Sequence, residues 1–290
     1  MNKSYTVIWN ESKGCWSVAG ESAKQRGKSS CSGVRAGVMA AVVLGLSALL
    51  PIAHAGPTGG TVTHGSASIW SNGGQTVINQ SSPKAVIKWD SFGVDTGERV
   101  TFNQQRSDMA LNYVSGTAKT TINGSLNAGG KIFIVNPNGI VFNAGSKVNV
   151  GGLVASTLTT DPASFFNNTN GEFVFEGGST TDVLNRGVIT ANGGDVLLLG
   201  ARPTNMGTIQ SHLGTTALAA GQKVTVSTGS GLVKLEINAA AANALARNSG
   251  TIRADGGQVL LKARSSNASP LSTVVNNNGV IEAKTLNNVP

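Results

Sequence analysis

Twelve carboxylates follow residue 55: Asp90, Asp95, Glu98, Asp108, Asp161, Glu172, Glu176, Asp182, Asp195, Glu236, Asp255 and Glu282. Sugar-cleaving chemistry needs two such groups held at a defined separation. No two of these stand one or two residues apart on a repeat strand. Asp182 and Asp195 could approach only across the fold. His64 and His212 are far apart, and a metal needs three or four ligands together. Both cysteines, Cys15 and Cys31, precede residue 55, leaving no thiol nucleophile and no disulfide beyond it. The Gly-Gly pairs at 193–194 and 256–257 lack the Lys-Ser/Thr partner and following helix of a phosphate loop. Trp89, in "VIKWDSF", has apolar neighbours at alternate positions and reads as a packing aromatic rather than a sugar platform. The chemistry-bearing residues therefore predict no enzyme, no metal site and no cofactor.

What remains distinctive is a turn. "KIFIVNPNGIVFN" (Lys131–Asn143) places two short apolar runs around Asn136-Pro137-Asn138-Gly139, a strong turn signal. Locally it reads as a hairpin. The elements around it argue otherwise. Only 12% of the 290 residues are charged, against about 25% in ordinary domains. Asn, Ser, Thr and 38 Gly supply the polarity, which favours short strands and frequent turns.

A unit of the form Asn-x-Gly-x-apolar-x-Ala, followed by a turn and an apolar strand, recurs at Asn185, Asn205, Asn248 and Asn277, with a shortened copy at Asn123. One unit cannot bury its own apolar face, but stacked units can. Strand edges then pair at about 4.8 Å per layer, and turn Asn side chains bond from coil to coil. This predicts an all-β fold, a parallel β-helix, with a two-sheet sandwich as the alternative. The steps between starts read as one coil, about two coils, and one coil with an insertion. In this scheme Asn136–Gly139 is a corner between two strands of one coil. Residues 56–110 supply an N-terminal cap that covers the open strand edges, and 111–290 the coils. Two segments break the pattern. Ala-rich Ile237–Asn248 predicts a short external helix. Thr157–Gly178 predicts an excursion, read as a hairpin turning at Asn170-Gly171.

The first 55 residues differ. Gly37–Leu50 is an apolar run too short for a spanning helix, which needs about 20 residues. It leads to Ala53-His54-Ala55, a small-x-small cleavage pattern before Gly56. Cleavage after Ala55 is expected, with a retained anchor as the alternative. The formal charge is +8, but residues 1–55 hold six of the 22 Lys/Arg and two of the 14 acids, leaving +4 beyond them. The remaining bases are scattered, with no run suited to nucleic acid.

"MNKSYTVIWN", followed by Trp16-Ser17-Val18 and Glu21, resembles the extended signal-peptide region of large type V secreted proteins of Gram-negative bacteria. "KAVIKWDSFGVDTGERVTFNQ", "ALNYVSG", "INGSLNAGGKIFIVNPNGIVFNAGSKVNVGGLVAST" and "NSGTIRADGGQVLLKA" resemble the secretion (TPS) domain of two-partner secretion exoproteins, the filamentous-haemagglutinin N-terminal domain. They are similar to its branch of high-molecular-weight adhesins and haem–haemopexin-utilisation exoproteins. The resemblance covers nearly all of 56–290. It implies a right-handed parallel β-helix with an N-terminal β cap and Sec-dependent export to the periplasm. It further implies recognition by the POTRA domains of a partner outer-membrane transporter and passage to the cell surface or medium. The family's secretion motif maps onto Asn136, Pro137, Asn138, Gly139 and Ile140; its frequent second motif, Asn-Pro-Asn-Leu, is not found. A host or bacterial surface receptor is compatible with such a protein. An effector activity would ordinarily lie beyond the secretion domain. A free-standing carbohydrate-binding or polysaccharide-processing β-helix is the alternative function.

Overall fold

The computed structural model describes residues 5–10, 15–20, 56–228, 232–266 and 274–284. The chain divides into two compact units, Met1–Leu50 and Pro51–Pro290. In the first, Tyr5–Asn10 and Cys15–Gly20 pair antiparallel, with Trp9 opposite Trp16. The expected apolar run of the signal, and Ala53 and Ala55 of its cleavage pattern, lie outside the described residues.

The second unit is a parallel β-helix. Its strands stack into sheets of nine, eight and six, and successive strands of the chain pass from one sheet to the next. The sandwich alternative is thereby excluded. Lys131–Val135 pairs in parallel with Met109–Val114 on one side and Gly152–Ser156 on the other. Apolar side chains stack in line: Leu126 over Val100 and under Val148, then Ile189, Ile209, Ile252. Together they fill the inside of the coil.

The end is capped by antiparallel strands. Thr61–His64 lies against Lys84–Trp89, and Ala67–Asn72 against Gln75–Gln80. Gln75–Gln80 and Lys84–Trp89 already make parallel pairs with the next coil, so stacking begins within the cap segment. Trp89 is 1% exposed, donates its indole N–H to Asn112 Oδ1 at 3.0 Å and meets Phe92 edge-on. It is part of the core, with no face free for a sugar.

The Asn residues of the repeat line one corner. Nδ2 of Asn185 donates to Oδ1 of Asn205 (2.8 Å), Asn205 to Asn248 (2.8 Å), and Asn248 to Asn277 (2.7 Å). Asn185, Asn205 and Asn248 are fully buried. A buried amide must be satisfied, and an identical amide one layer away does this only if each coil keeps the register. Two residues on, Gly187, Gly207, Gly250 and Gly279 stack with backbone against backbone.

This ladder corrects one expectation. Asn205 and Asn248 are 43 residues apart yet are direct neighbours. The step is one coil with an insertion, not two coils. The insertion holds Lys223–Ser227 and Lys234–Ala239, paired antiparallel. The Ala-rich segment is corrected as well. Ile237–Ala239 ends that second strand, Ala241 bridges Ser265, and Ala246–Asn248 joins the six-stranded sheet. Alanine's helical preference is weak beside a strand edge waiting to be paired.

Thr157–Gly178 is an excursion, but not a hairpin. Asp161 caps a helix, Pro162–Asn167, by accepting from Ser164 N at 2.7 Å; hydrogen bonding from the Ser164 side chain, and then from its backbone N–H, holds the carboxyl below the ordinary value. Gly171 turns the chain at φ +70°. Glu172–Glu176 then pairs with Lys223–Ser227, far along the chain. The resulting three-stranded sheet lies over the outside of the eight-stranded one. Phe165, Phe173 and Phe175 surround Phe133, with ring centroids 4.9–6.5 Å apart. They form a second core with Leu197, Leu199 and Val226. The eight-stranded sheet is thus buried on both faces, which explains unbroken apolar runs such as Val196–Leu199. Phe165→Ala is expected to cost about 3–5 kcal/mol. Thermal unfolding reads the loss, and amide exchange should accelerate first in Glu172–Glu176.

Candidate functional site

The Asn-Pro-Asn-Gly turn is a corner. Lys131–Val135 belongs to the eight-stranded sheet, Ile140–Phe142 to the six-stranded sheet, and the two do not pair with each other. Gly139 N donates to Asn136 O at 3.1 Å, closing a four-residue turn. Pro137 occupies the position where its fixed φ is favourable. Gly139 sits at φ +111°, a conformation that side-chain-bearing residues rarely adopt. Asn136 Oδ1 accepts from Asn138 N at 2.9 Å, an Asx turn nested within the backbone turn.

The corner is bonded to the coils on both sides. Toward the cap, fully buried Asn136 donates from Nδ2 to Ala118 O and Thr120 Oγ1, both at 3.0 Å. Asn138 Nδ2 donates to Gly116 O at 2.8 Å, and Gly139 O accepts from Thr120 N at 2.9 Å. On the other side, Asn136 N donates to Ser156 O at 3.0 Å. Pro137 O accepts from Ser179 Oγ (2.7 Å) and Thr181 Oγ1 (2.8 Å). Ile140 is buried between Thr120 and Val183. The motif thus brings all five predicted residues to one corner. They divide by exposure: Asn136, Gly139 and Ile140 are buried, Pro137 is half-buried and Asn138 is exposed.

Ser179 and Thr181 do not stand out in the sequence. A signal is present, since "GGSTT" occupies the same corner one coil later, but its place depends on the length of the intervening excursion. None of the corner's hydrogen-bond partners is ionisable. The corner offers amide and carbonyl groups and a proline ring, suited to contact rather than proton transfer.

The candidate catalytic groups do not converge. Asp182 pairs with Arg202 at 2.8 Å, and Asp195 Oδ1 accepts from Thr215 N at 2.8 Å. His64 lies 5.5 Å from the Phe166 ring and His212 is exposed. Among the described residues no group of three or more His, Cys, Asp or Glu could hold a metal. Gly56 is described and sits in the cap, beside Glu98 and Thr76.

A capped parallel β-helix, marked by one polar, non-ionisable corner, defines a class of stacked-coil scaffold. The chain belongs to the TPS secretion domain family, which matches residues 53–289, and the Extended Signal Peptide of Type V secretion system matches residues 1–50. It is thus the secretion domain of a type Vb exoprotein, exported by that route. Its sequence is 32% identical over 218 residues to a "Heme/hemopexin-binding protein" of Haemophilus influenzae, covering 73% of this chain and 24% of the relative. A second Haemophilus influenzae protein of that description is 41% identical over 81 residues, 28% of this chain and 9% of the relative. The crystal structure of the HMW1 secretion domain from Haemophilus influenzae is 29% identical and superposes with a TM-score of 0.67, over 80% of this chain and 60% of that one. The chain spans about a quarter of the length of the first curated relative.

Proposed function

We propose that residues 56–290 are recognised in the periplasm by the POTRA domains of a partner outer-membrane transporter, after Sec export directed by residues 1–55. The domain then nucleates β-helix folding as the chain emerges at the surface. The observation that carries this reading is the family match across 53–289 joined to an extended signal peptide over 1–50. The fold supports it with an accessible strand edge. Ala67–Asn72 ends the nine-stranded sheet with one side unpaired among the described residues, and its Trp70 is 53% exposed. Such an edge accepts an added strand. The Asn136–Ile140 corner is the second element that a transporter would read. The role is non-enzymatic, with the carboxylates in structural or surface positions.

The expected result is retention of the purified 56–290 domain on an immobilised POTRA pair from the partner transporter, and its release from cells only when that transporter is made. A folded domain that binds no POTRA pair, and whose release ignores the transporter, would sink the reading. Depolymerase activity on a glycan would favour the polysaccharide-processing alternative instead.

A further inference from the structure

We propose that Glu98 is the receptor for the α-ammonium group that signal cleavage creates on Gly56, so that processing itself completes the N-terminal cap. The inference rests on the reading that cleavage follows Ala55.

Glu98 is a carboxylate withdrawn from water, only 6% exposed. Its Oε2 accepts from Asp95 N at 2.8 Å. Its Oε1 is buried and has no hydrogen-bond partner among the described residues. None of the salt bridges among the described residues includes Glu98, and its neighbour Arg99 is exposed. A buried carboxylate with an idle oxygen calls for a cationic partner or further donors.

Gly56 stands beside it. A methyl group built on Gly56 Cα would lie 3.8 Å from Glu98 Oε2 and 3.9 Å from Thr76 Oγ1. Gly56, Thr76 and Glu98 line one cavity of about 230 Å³ in the cap. In the uncleaved chain the Gly56 nitrogen is a neutral amide with a single hydrogen. Hydrolysis of the Ala55–Gly56 bond gives the hydroxyl of water to the Ala55 carbonyl, which leaves as a carboxylate, and protons to the Gly56 nitrogen. The product is an ammonium with three donors, largely protonated at neutral pH because an α-amino group titrates at about 7.7–8.0. It meets a carboxylate with a free acceptor, and charge-assisted bonds of this kind are the strong ones. The absence of a side chain at Gly56 leaves the amine free to approach.

The test compares the mature 56–290 chain bearing a free Gly56 amine with the same chain acetylated there, each with Glu98 and with Glu98→Gln. Glutamine keeps an oxygen for Asp95 N, so the turn is preserved. With Glu98, acetylation is expected to raise the unfolding equilibrium constant about tenfold. In the Glu98→Gln chain, which lacks the negative charge, that difference should disappear. Equal unfolding of free and acetylated chains, or a difference that survives Glu98→Gln, overturns the proposal. Mass spectrometry of the exported protein tests the cleavage reading separately. A mature chain that begins at another residue removes the physiological role of the pair, whatever the unfolding curves show.

Discussion

Asn136→Ala is expected to destabilise the domain by about 2–4 kcal/mol and to reduce secretion sharply. The side chain is fully buried and uses both ends. Nδ2 serves Ala118 O and Thr120 Oγ1, while Oδ1 holds Asn138 N. Alanine leaves those partners without their bonds, at about 1–3 kcal/mol for each buried group left unsatisfied. It also releases the Asx turn that fixes the corner. Asn138→Ala makes the informative comparison. Asn138 is exposed, and its loss removes two Nδ2 bonds, to Gly116 O at 2.8 Å and to Asn136 Oδ1 at 3.2 Å, while the backbone bond from Asn138 N to Asn136 Oδ1 stays; the loss is worth about 1–2 kcal/mol. Denaturant midpoints give the two stabilities, and the released protein in cells making the transporter gives the two secretion levels. If the corner is read by the transporter, Asn138→Ala loses far more secretion than its small instability explains. If secretion follows stability across both variants, the corner is structural only.

Gly207→Ala is expected to be among the most damaging single-methyl additions, at about 3 kcal/mol or more, at the upper end of what overpacking usually costs. Its new Cβ would lie 2.2 Å from Gly187 O and 2.6 Å from Arg186 C. These are backbone atoms of the adjacent coil, which no side-chain rotation relieves. The neighbouring layer is equally tight, since a Cβ on Gly250 would meet Gly207 O at 2.1 Å. Strands stacked about 4.8 Å apart leave no slack in the ladder. Separating two coils here would also strain the Asn185–Asn205 bond in the same corner. Gly178→Ala is the matched control. It is exposed, has nothing within 4 Å of its added methyl, and should change stability little. Thermal melts of the two variants decide the matter. A Gly207→Ala protein that melts with the Gly178→Ala control would mean that the coils are not in close contact at this corner.

Asn136 and Gly207 both belong to patterns that stand out in the sequence. Asn136-Pro137-Asn138-Gly139 carries its turn chemistry in four consecutive residues, so its conformation was readable. That it is a corner followed from the repeat, because a hairpin would have taken its two flanking strands out of the stack. The Asn ladder was readable for the same reason, since an amide recurring before each Gly has a ready partner one layer away. The paths of the excursions were not. Whether 43 residues between Asn205 and Asn248 make two coils or one cannot be judged from spacing. It depends on whether Lys223–Ser227 finds its partner inside the stack or outside it.

Three features were already set by residue order alone: the repeat, the apolar column inside the coil and the turn at Asn136–Gly139. Each of these depends on residues that are near in the chain or recur in register. Other features became visible only in three dimensions. They are the second core around Phe133, the strand made from the Ala-rich segment, the Ser179 and Thr181 bonds to Pro137, and the meeting of Gly56 with Glu98. Those contacts join residues whose separation has no period. They form because apolar surface and unpaired strand edges left by one segment are covered by another, a balance of burial and pairing that no local window contains.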